Sequence, residues 1–554
     1  MRESERRRMD LNEWGTGRMT SQVSAEALLE FRNSIGDANV ITDSAALAAI
    51  TKDTGNLSRR VTALLKPQSE DDVRSITQIA SEYRLSIAPF STGRNWGYGT
   101  SNPSAEGCAL VDLSGMARIL EFDADLGLVT VEPGVTQRQL AAFLEQTGFD
   151  FLVPVTGAGP DCSLIGNALE RGYGITPIAD HFGACTRIRA VLADGSVYDS
   201  SLSALGGDLV DKVFKWGVGP YIDGLFTQSN LGIVTQMTIA LARRPESVLG
   251  FFFGVPREQG LESAVSAIQR ILQQTHGTVG SINLMNRRRV LSMVEPYPTE
   301  LGAGDLIPDE RLAAMAKRNQ VMIWTGAGAL YGNRHMVAAA KRVVKKELRG
   351  TASRLVFFSP RSTHLLKGLS QHLPGQLGAS ARNIFETLDK TLQLLAGAPS
   401  EIALPLCYWK SGTRPPEGQP MDPARDGCGL YWYSPLVPMV PEKVREYTNL
   451  VEEVCRANRI EPLITLTSLS DKCWDSTVPI LFEPQDAADS ERAKQCYRQL
   501  FETGQRSGFV PYRSHVETMD WFVKGDSAFW QTAAKIKDAL DPDGIISPGR
   551  YSLR

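Results

Sequence analysis

Histidine is scarce in this sequence: six residues (181, 276, 335, 364, 372 and 515) among 554, none spaced as a ligand pair. Metal chemistry loses its commonest ligand on that count, and the cysteines do not replace it. All eight lie apart (108, 162, 185, 407, 428, 455, 473 and 496), with no CxxC and no Cys/His cluster of zinc spacing. No metal is therefore expected. Scattered thiols of this kind read as free, buried side chains in a reducing compartment, which points to the cytoplasm. Apolar runs long enough to span a bilayer are missing. So is a charge excess, with 59 Lys and Arg against 62 Asp and Glu and a formal net charge of −3. Neither nucleic acid nor a membrane is expected as a partner. The opening MRESERRRMDLNEWGTGRM has no apolar stretch behind Arg6–Arg8. No export signal is read there, and residues 1–25 are expected to form a disordered tail. Common catalytic signatures are absent as well: no GxSxG, no HExxH, no GxxxxGK[ST], and no GxGxxG after a strand.

What the sequence does hold is length and alternation. A chain of 554 residues exceeds one ordinary core, so more than one domain is expected. Strands and helices alternate over 61–245. VTALLKP and LSIAPF read as strands, with Ser69 opening a helix between them along which Val73, Ile76, Ile79 and Ala80 recur at helical spacing. CALVDL and LGLVTVEPGV follow as strands, the second ending in Pro133-Gly134 before a helix from about Thr136. RIRAVLADGSVYDSS reads as a hairpin turned at Asp194-Gly195, and LGIVTQMTIALARRP closes the region. From about 247 the texture changes: VLGFFFGVP is a strand, GLESAVSAIQRILQQT an amphipathic helix, and mixed elements continue to about 500. Residues 409–429 form a long polar Pro/Gly loop. The ending LDPDGIISPGRYSLR is expected to return to the first domain.

Chemistry concentrates in three loops that combine glycine with amides. The stretch STGRNWGYG (91–99) places Gly93, Gly97 and Gly99 around Arg94 and Asn95. Convergent backbone N–H groups in such a loop form a nest for an anion such as pyrophosphate. Alone it reads equally as a surface turn. A second loop, SLIGNALERGYGITPIADHFG, brings Gly166, Asn167, Gly172, Gly174 and His181. A third, GLFTQSNLGIVTQM, sets Gln228, Asn230 and Gly232 before a strand. Together they suggest one large polar ligand threaded through the domain.

These strings, with FKWGVGPYIDGLFTQSNLGIVT and the ending PDGIISPGRY, resemble the vanillyl-alcohol oxidase / p-cresol methylhydroxylase family of flavoproteins. The likeness is dense over about 60–245 and returns over roughly 427–554. It implies an α+β, two-domain FAD-binding fold of the p-cresol methylhydroxylase type, with a cap domain over the isoalloxazine ring. The FAD domain would cover 26–246, the cap 247–500, and a C-terminal segment 501–554 would return to the active site. FAD contacts are then expected from Ser91, Thr92, Gly93, Arg94, Asn95, Gly97, Gly99, Pro133, Gly134, Gly166, Asn167, Gly172, Gly174, His181, Gly232, Ile233 and Arg550.

The resemblance also implies a substrate and a site. Tyr98 and the pair Tyr512-Arg513 would hold a phenolate, and Asp161 would handle a proton or stabilise the oxidised benzylic centre. Thr465 and Trp432 would line the pocket. The physical logic is that a guanidinium and two phenolic O–H groups stabilise an aromatic oxyanion. Electron density pushed to the para carbon then eases loss of hydride, giving a quinone methide that water hydroxylates, or converting an alcohol to an aldehyde. The acceptor would be O2, or a cytochrome c subunit in a 4-cresol dehydrogenase-like enzyme, and a homodimer is implied. Two departures bear on flavin attachment: Leu430 stands where a family histidine binds FAD covalently, and Tyr408 is displaced by one place from a tyrosyl anchor. FAD is thus expected to be non-covalent or tyrosyl-linked. A hydroxy acid or lactone oxidoreductase on the same scaffold is the alternative.

Overall fold

The computed structural model describes residues 23–298, 300–359 and 388–553. All but the end of the expected tail falls outside these residues, and that end is already ordered: Ala25 opens the helix Ala25–Ile35, capped by the Ser24 hydroxyl.

Two sheets build the first domain. In the smaller, Ala63–Leu65, Ala109–Asp112 and Ile87–Phe90 pair in parallel, with Val40–Ile41 antiparallel at one edge. The helix Glu70–Glu82 covers it through Val73, Ile76, Ile79 and Ala80, the residues whose spacing marked it as amphipathic. Ser69 caps this helix, its hydroxyl accepting from the Asp72 N–H at 3.1 Å. The C-terminal segment joins the same sheet, since Ile546 bridges to Ile87 and the Ser547 N–H donates to the Ile87 carbonyl at 2.8 Å. The second sheet is antiparallel throughout, in the order Ile119–Asp123, Leu128–Val131, Ile233–Ala240, Cys185–Val191, Val197–Tyr198. Its hairpin turns at Asp194-Gly195, where Gly195 takes φ +79.

The cap is one large antiparallel sheet. Its order is Arg354–Phe358, Ser247–Val255, Trp324–Gly332, Asn283–Asn286, Thr465–Ser468, Cys473–Phe482, Gly429–Tyr433, with Leu436–Pro438 also paired to Cys473–Phe482. The helices Leu261–Gln274, Arg334–Glu347, Pro441–Ala457 and Ala487–Arg506 bury their apolar stripes on one face of it, against Trp474, Val478, Ile480 and Phe482. Side chains alternate across a strand. Asp475, Thr477 and Pro479 therefore face the other way, toward the first domain, together with their ladder partners Thr467, Thr465 and Trp432. The eight cysteines are unpaired thiols. Among the described residues, no helix is long and apolar enough to cross a membrane.

Candidate active site

The site forms where three backbone segments are strapped together. The C-terminal strand of the strap bridges Pro511 to Pro435, and the Tyr512 N–H donates to the Ser434 carbonyl at 3.1 Å. A few residues on, the Val516 N–H donates to the Tyr98 carbonyl at 3.1 Å. Glycine at 97 and 99 permits this approach, because a Cβ at Gly97 would collide with Trp432 and one at Gly99 with Val516. Both take positive φ, +77 and +110.

The strap brings Tyr98, Tyr512 and Arg513 together. The Arg513 guanidinium lies 3.8 Å from the centroid of the Tyr98 ring and donates to Asn95 Oδ1 at 2.6 Å, while its buried Nε has no partner. The Tyr98 hydroxyl and Ser434 Oγ share a hydrogen bond of 2.6 Å. Tyr173 meets Tyr512 edge to face at 5.9 Å between centroids. Burial raises the pKa of Tyr98 and of Tyr512, so both hydroxyls keep their protons and can donate. A buried, permanently charged guanidinium beside two such donors has the chemistry to hold an oxyanion.

One carboxyl in this group carries no signature in the sequence. Asp475 is buried, its Oδ1 has no partner among the described residues, and burial lifts its pKa to about 7 against the pull of Arg513. Leu436 is its ladder partner, which sets it diagonally from Ser434 and so from the Tyr98 hydroxyl. The only hint is a single acid in the strand CWDSTVPILF. Asp161 is engaged elsewhere: its carboxylate accepts from Arg138 Nε at 2.8 Å, which holds it below the usual carboxylate range. Thr465 Oγ1 is buried on the same cap face as Asp475 and has no partner.

The expected cofactor residues divide in two. Asn167, Gly172, Gly174 and His181 form one cluster. Asn167 bonds His181 Nδ1, and Gly172 and Gly174 leave room for Asn167 and His181. Burial lowers the His181 pKa to about 4, so the ring is neutral. Pro133 accepts from Ser163 Oγ at 2.6 Å, Ser163 N–H donates to Thr92 Oγ1 at 3.2 Å, Gly166 packs against Ser91 and Ser163, and Gly134 lies on the Ser114 and Met116 carbonyls. Gly232 sits against the Val191 carbonyl and leads into buried Ile233. Gly93 takes φ +65. Buried atoms without partners among the described residues border these loops (Trp96 Nε1, Thr100 Oγ1 and His181 Nε2), and such atoms could bond an extended polar cofactor. Three of the expected contacts also have protein partners. Arg94 pairs with Asp422 of the long cap loop, Arg550 with Glu170, and Asn95 with Arg513. The Tyr408 hydroxyl donates to Asp426 Oδ2 at 2.6 Å, and burial, followed by that bond, raises its pKa.

Residues 61–201 match a family model described as an FAD binding domain. The chain is 34% identical over 538 residues to the 1'-carboxy-chondrochloren decarboxylase of Chondromyces crocatus, covering 97% of this chain and 98% of that one. It is 25% identical to the 4-cresol dehydrogenase [hydroxylating] flavoprotein subunit of Pseudomonas putida, with 95% of each chain covered. Among solved structures, 4-ethylphenol oxidase from Gulosibacter chungangensis in its isoeugenol complex superposes with a TM-score of 0.84 at 25% identity, covering 96% of this chain and 98% of that one. A cap over an FAD-binding domain, glycine loops with unpartnered polar atoms, and near-complete coverage at 34% identity lead to one conclusion: the chain belongs to the vanillyl-alcohol oxidase / p-cresol methylhydroxylase family and is an FAD-dependent oxidoreductase.

Proposed function

We propose that the protein oxidises a para-substituted phenol at its benzylic carbon. The observation that carries this reading is the Arg513 guanidinium, buried on the Tyr98 ring with an unpartnered Nε and with Tyr512 as its chain neighbour. Arg513 pairs with the phenolate oxygen, while Tyr98 and Tyr512 donate to it. Asn95 and the field of Glu170 hold the guanidinium in place. Asp475 takes the phenolic proton as the substrate binds, so the oxyanion forms inside the site without losing a proton to solvent. When bound, FAD supplies the acceptor for the benzylic hydride. The cap strands exclude water from the ring face, and Thr465 and Trp432 border the para substituent.

The relatives' names, a decarboxylase, a dehydrogenase and an oxidase, leave the fate of the oxidised side chain and the electron acceptor as finer questions. We take O2 as the acceptor. The test is anaerobic: 4-alkylphenols should bleach the bound flavin, 2-hydroxy acids should not, and air should then restore the colour within the turnover time. Bleaching by hydroxy acids alone would overturn the phenol reading. Slow recovery in air, rescued by a cytochrome, would overturn O2. Flavin attachment follows from Tyr408 and Leu430. Acid precipitation should leave the protein pellet colourless and the flavin in the supernatant, and Tyr408→Phe should keep its FAD. A yellow pellet that Tyr408→Phe decolourises would instead make Tyr408 the covalent anchor.

A further inference from the structure

A cation of the cap also lacks a carboxylate partner among the described residues. The strand Asn283–Asn286 runs into the helix Arg287–Val294, whose first turn holds three arginines in a row. Arg288 is paired, with Glu461 at 2.5 Å, Asp309 at 2.7 Å and the Ile307 carbonyl. Arg289 is not. Among the described residues no carboxylate pairs with it, its buried Nε has no partner, and its one side-chain bond is a 3.5 Å contact from Nη1 to Ser292 Oγ. The ionisable group beside it is the Cys407 thiol, which burial keeps neutral by raising its pKa to about 12. Desolvation lowers the pKa of Arg289 itself to about 10. It remains charged at neutral pH. Arg289 is half-buried as a whole with its Nε enclosed, and a cation so placed, with no counter-ion among the described residues, is suited to a ligand that supplies the opposite charge.

Its position indicates which ligand. Cys407 lies in the turn Leu404–Tyr408, which rests on the first domain: Leu404 packs with Trp96, and a Cβ at Gly159 would stand 3.1 Å from it. Cys407 also clusters with Leu430 and Trp432. Met285, four residues before Arg289, belongs to a row of ladder partners on the site-facing side of the cap, Met285 to Thr465 to Thr477. Continuing the register of Tyr433 with Val478 puts Ser434, the partner of the Tyr98 hydroxyl, next in that row. Three strand spacings, roughly 14 Å, thus separate the phenolate end from Met285. A phenol anchored at Arg513, with its para side chain extended along this row, would point that side chain toward the helix that carries Arg289.

We propose that Arg289 binds a carboxylate at the end of the substrate's para side chain, so that the substrate class is a phenolic acid rather than a neutral alkylphenol. The assignment rests on the phenol reading above. Arg289 and Arg513 then form two cationic ends of one pocket, and the distance between them selects the length of the side chain.

The test compares 3-(4-hydroxyphenyl)propanoate with 4-propylphenol on the FAD-loaded enzyme. The acid should have the higher kcat/KM. Arg289→Gln should lower the acid-to-propylphenol ratio by about 10²-fold, as loss of a buried charge-assisted pair does, chiefly through KM, and Arg289→Lys should restore part of it. Binding of the acid to the oxidised enzyme, followed by the flavin difference spectrum, should weaken in parallel, which separates lost binding from lost turnover. An unchanged ratio in Arg289→Gln, or a wild type that prefers 4-propylphenol, would overturn the assignment of Arg289 alone. Failure of both compounds to reduce the flavin would overturn the phenol reading, and this inference with it.

Discussion

Arg513→Ala should lower kcat/KM for a 4-alkylphenol by about 10³-fold while the purified protein keeps its FAD. The size follows from what is removed. A single preorganised donor to a developing oxyanion is worth about 10²–10³ in rate, and Arg513 adds a full charge in a site closed to water. The alanine variant also leaves the Tyr98 ring without its stacked cation and Asn95 Oδ1 without its donor. Steady-state kinetics and flavin absorbance on the same preparation decide the matter. Equal loss of turnover and of FAD would mean that Arg513 braces the strap rather than the substrate.

The second large effect concerns pH. Asp475 faces Arg513, Tyr98, Tyr512 and Tyr173 across the site, with Cys473 two places before it on its own strand. Burial raises its pKa to about 7. Below that pH the free enzyme carries a protonated Asp475 that cannot accept the phenolic proton; above it the carboxylate is charged and can. For the wild type, kcat/KM should therefore rise tenfold per pH unit up to about 7 and then level off. Asp475→Asn has no acceptor and reacts only with phenol already ionised in solution. Its kcat/KM should keep rising toward the phenol's own pKa near 10, leaving it about 10³-fold below wild type at pH 7. Binding of a phenol whose ionised form has its own absorbance band should release about one proton in the variant and none in the wild type at pH 8. An Asn variant that levels off near pH 7 would move this titration to another group.

Much of this was legible in the sequence. Glycine loops, a Tyr-Arg pair and a turn-rich ending are local strings, and local strings survive in one dimension. The features that the sequence concealed depend on ladder register or on long-range pairing. Asp475 becomes a site residue because Leu436 stands opposite it, and no spacing rule links residue 475 to Tyr98. Arg94 in a glycine loop reads as a phosphate ligand, and the sequence gives no sign that Asp422, 328 positions away, pairs with it. Arg550 is claimed by Glu170 in the same manner. The family resemblance assigns Asp161 to proton handling, yet Arg138 from the preceding helix engages its carboxylate. Charged side chains are the hardest to assign from sequence, because their roles depend on which opposite charge the fold delivers.

The strap through Pro511 and Val516 also governs traffic. Main-chain hydrogen bonds tie the cap strand, the C-terminal segment and the glycine loop into one piece, and the Arg94–Asp422 pair fastens a second point of the same seam. A cap held at both points does not swing open as a lid. Reactant and product must then pass by transient displacement of side chains along the seam, so the width of that passage, rather than the shape of the closed pocket, sets the upper limit on substrate bulk and the pace of product escape.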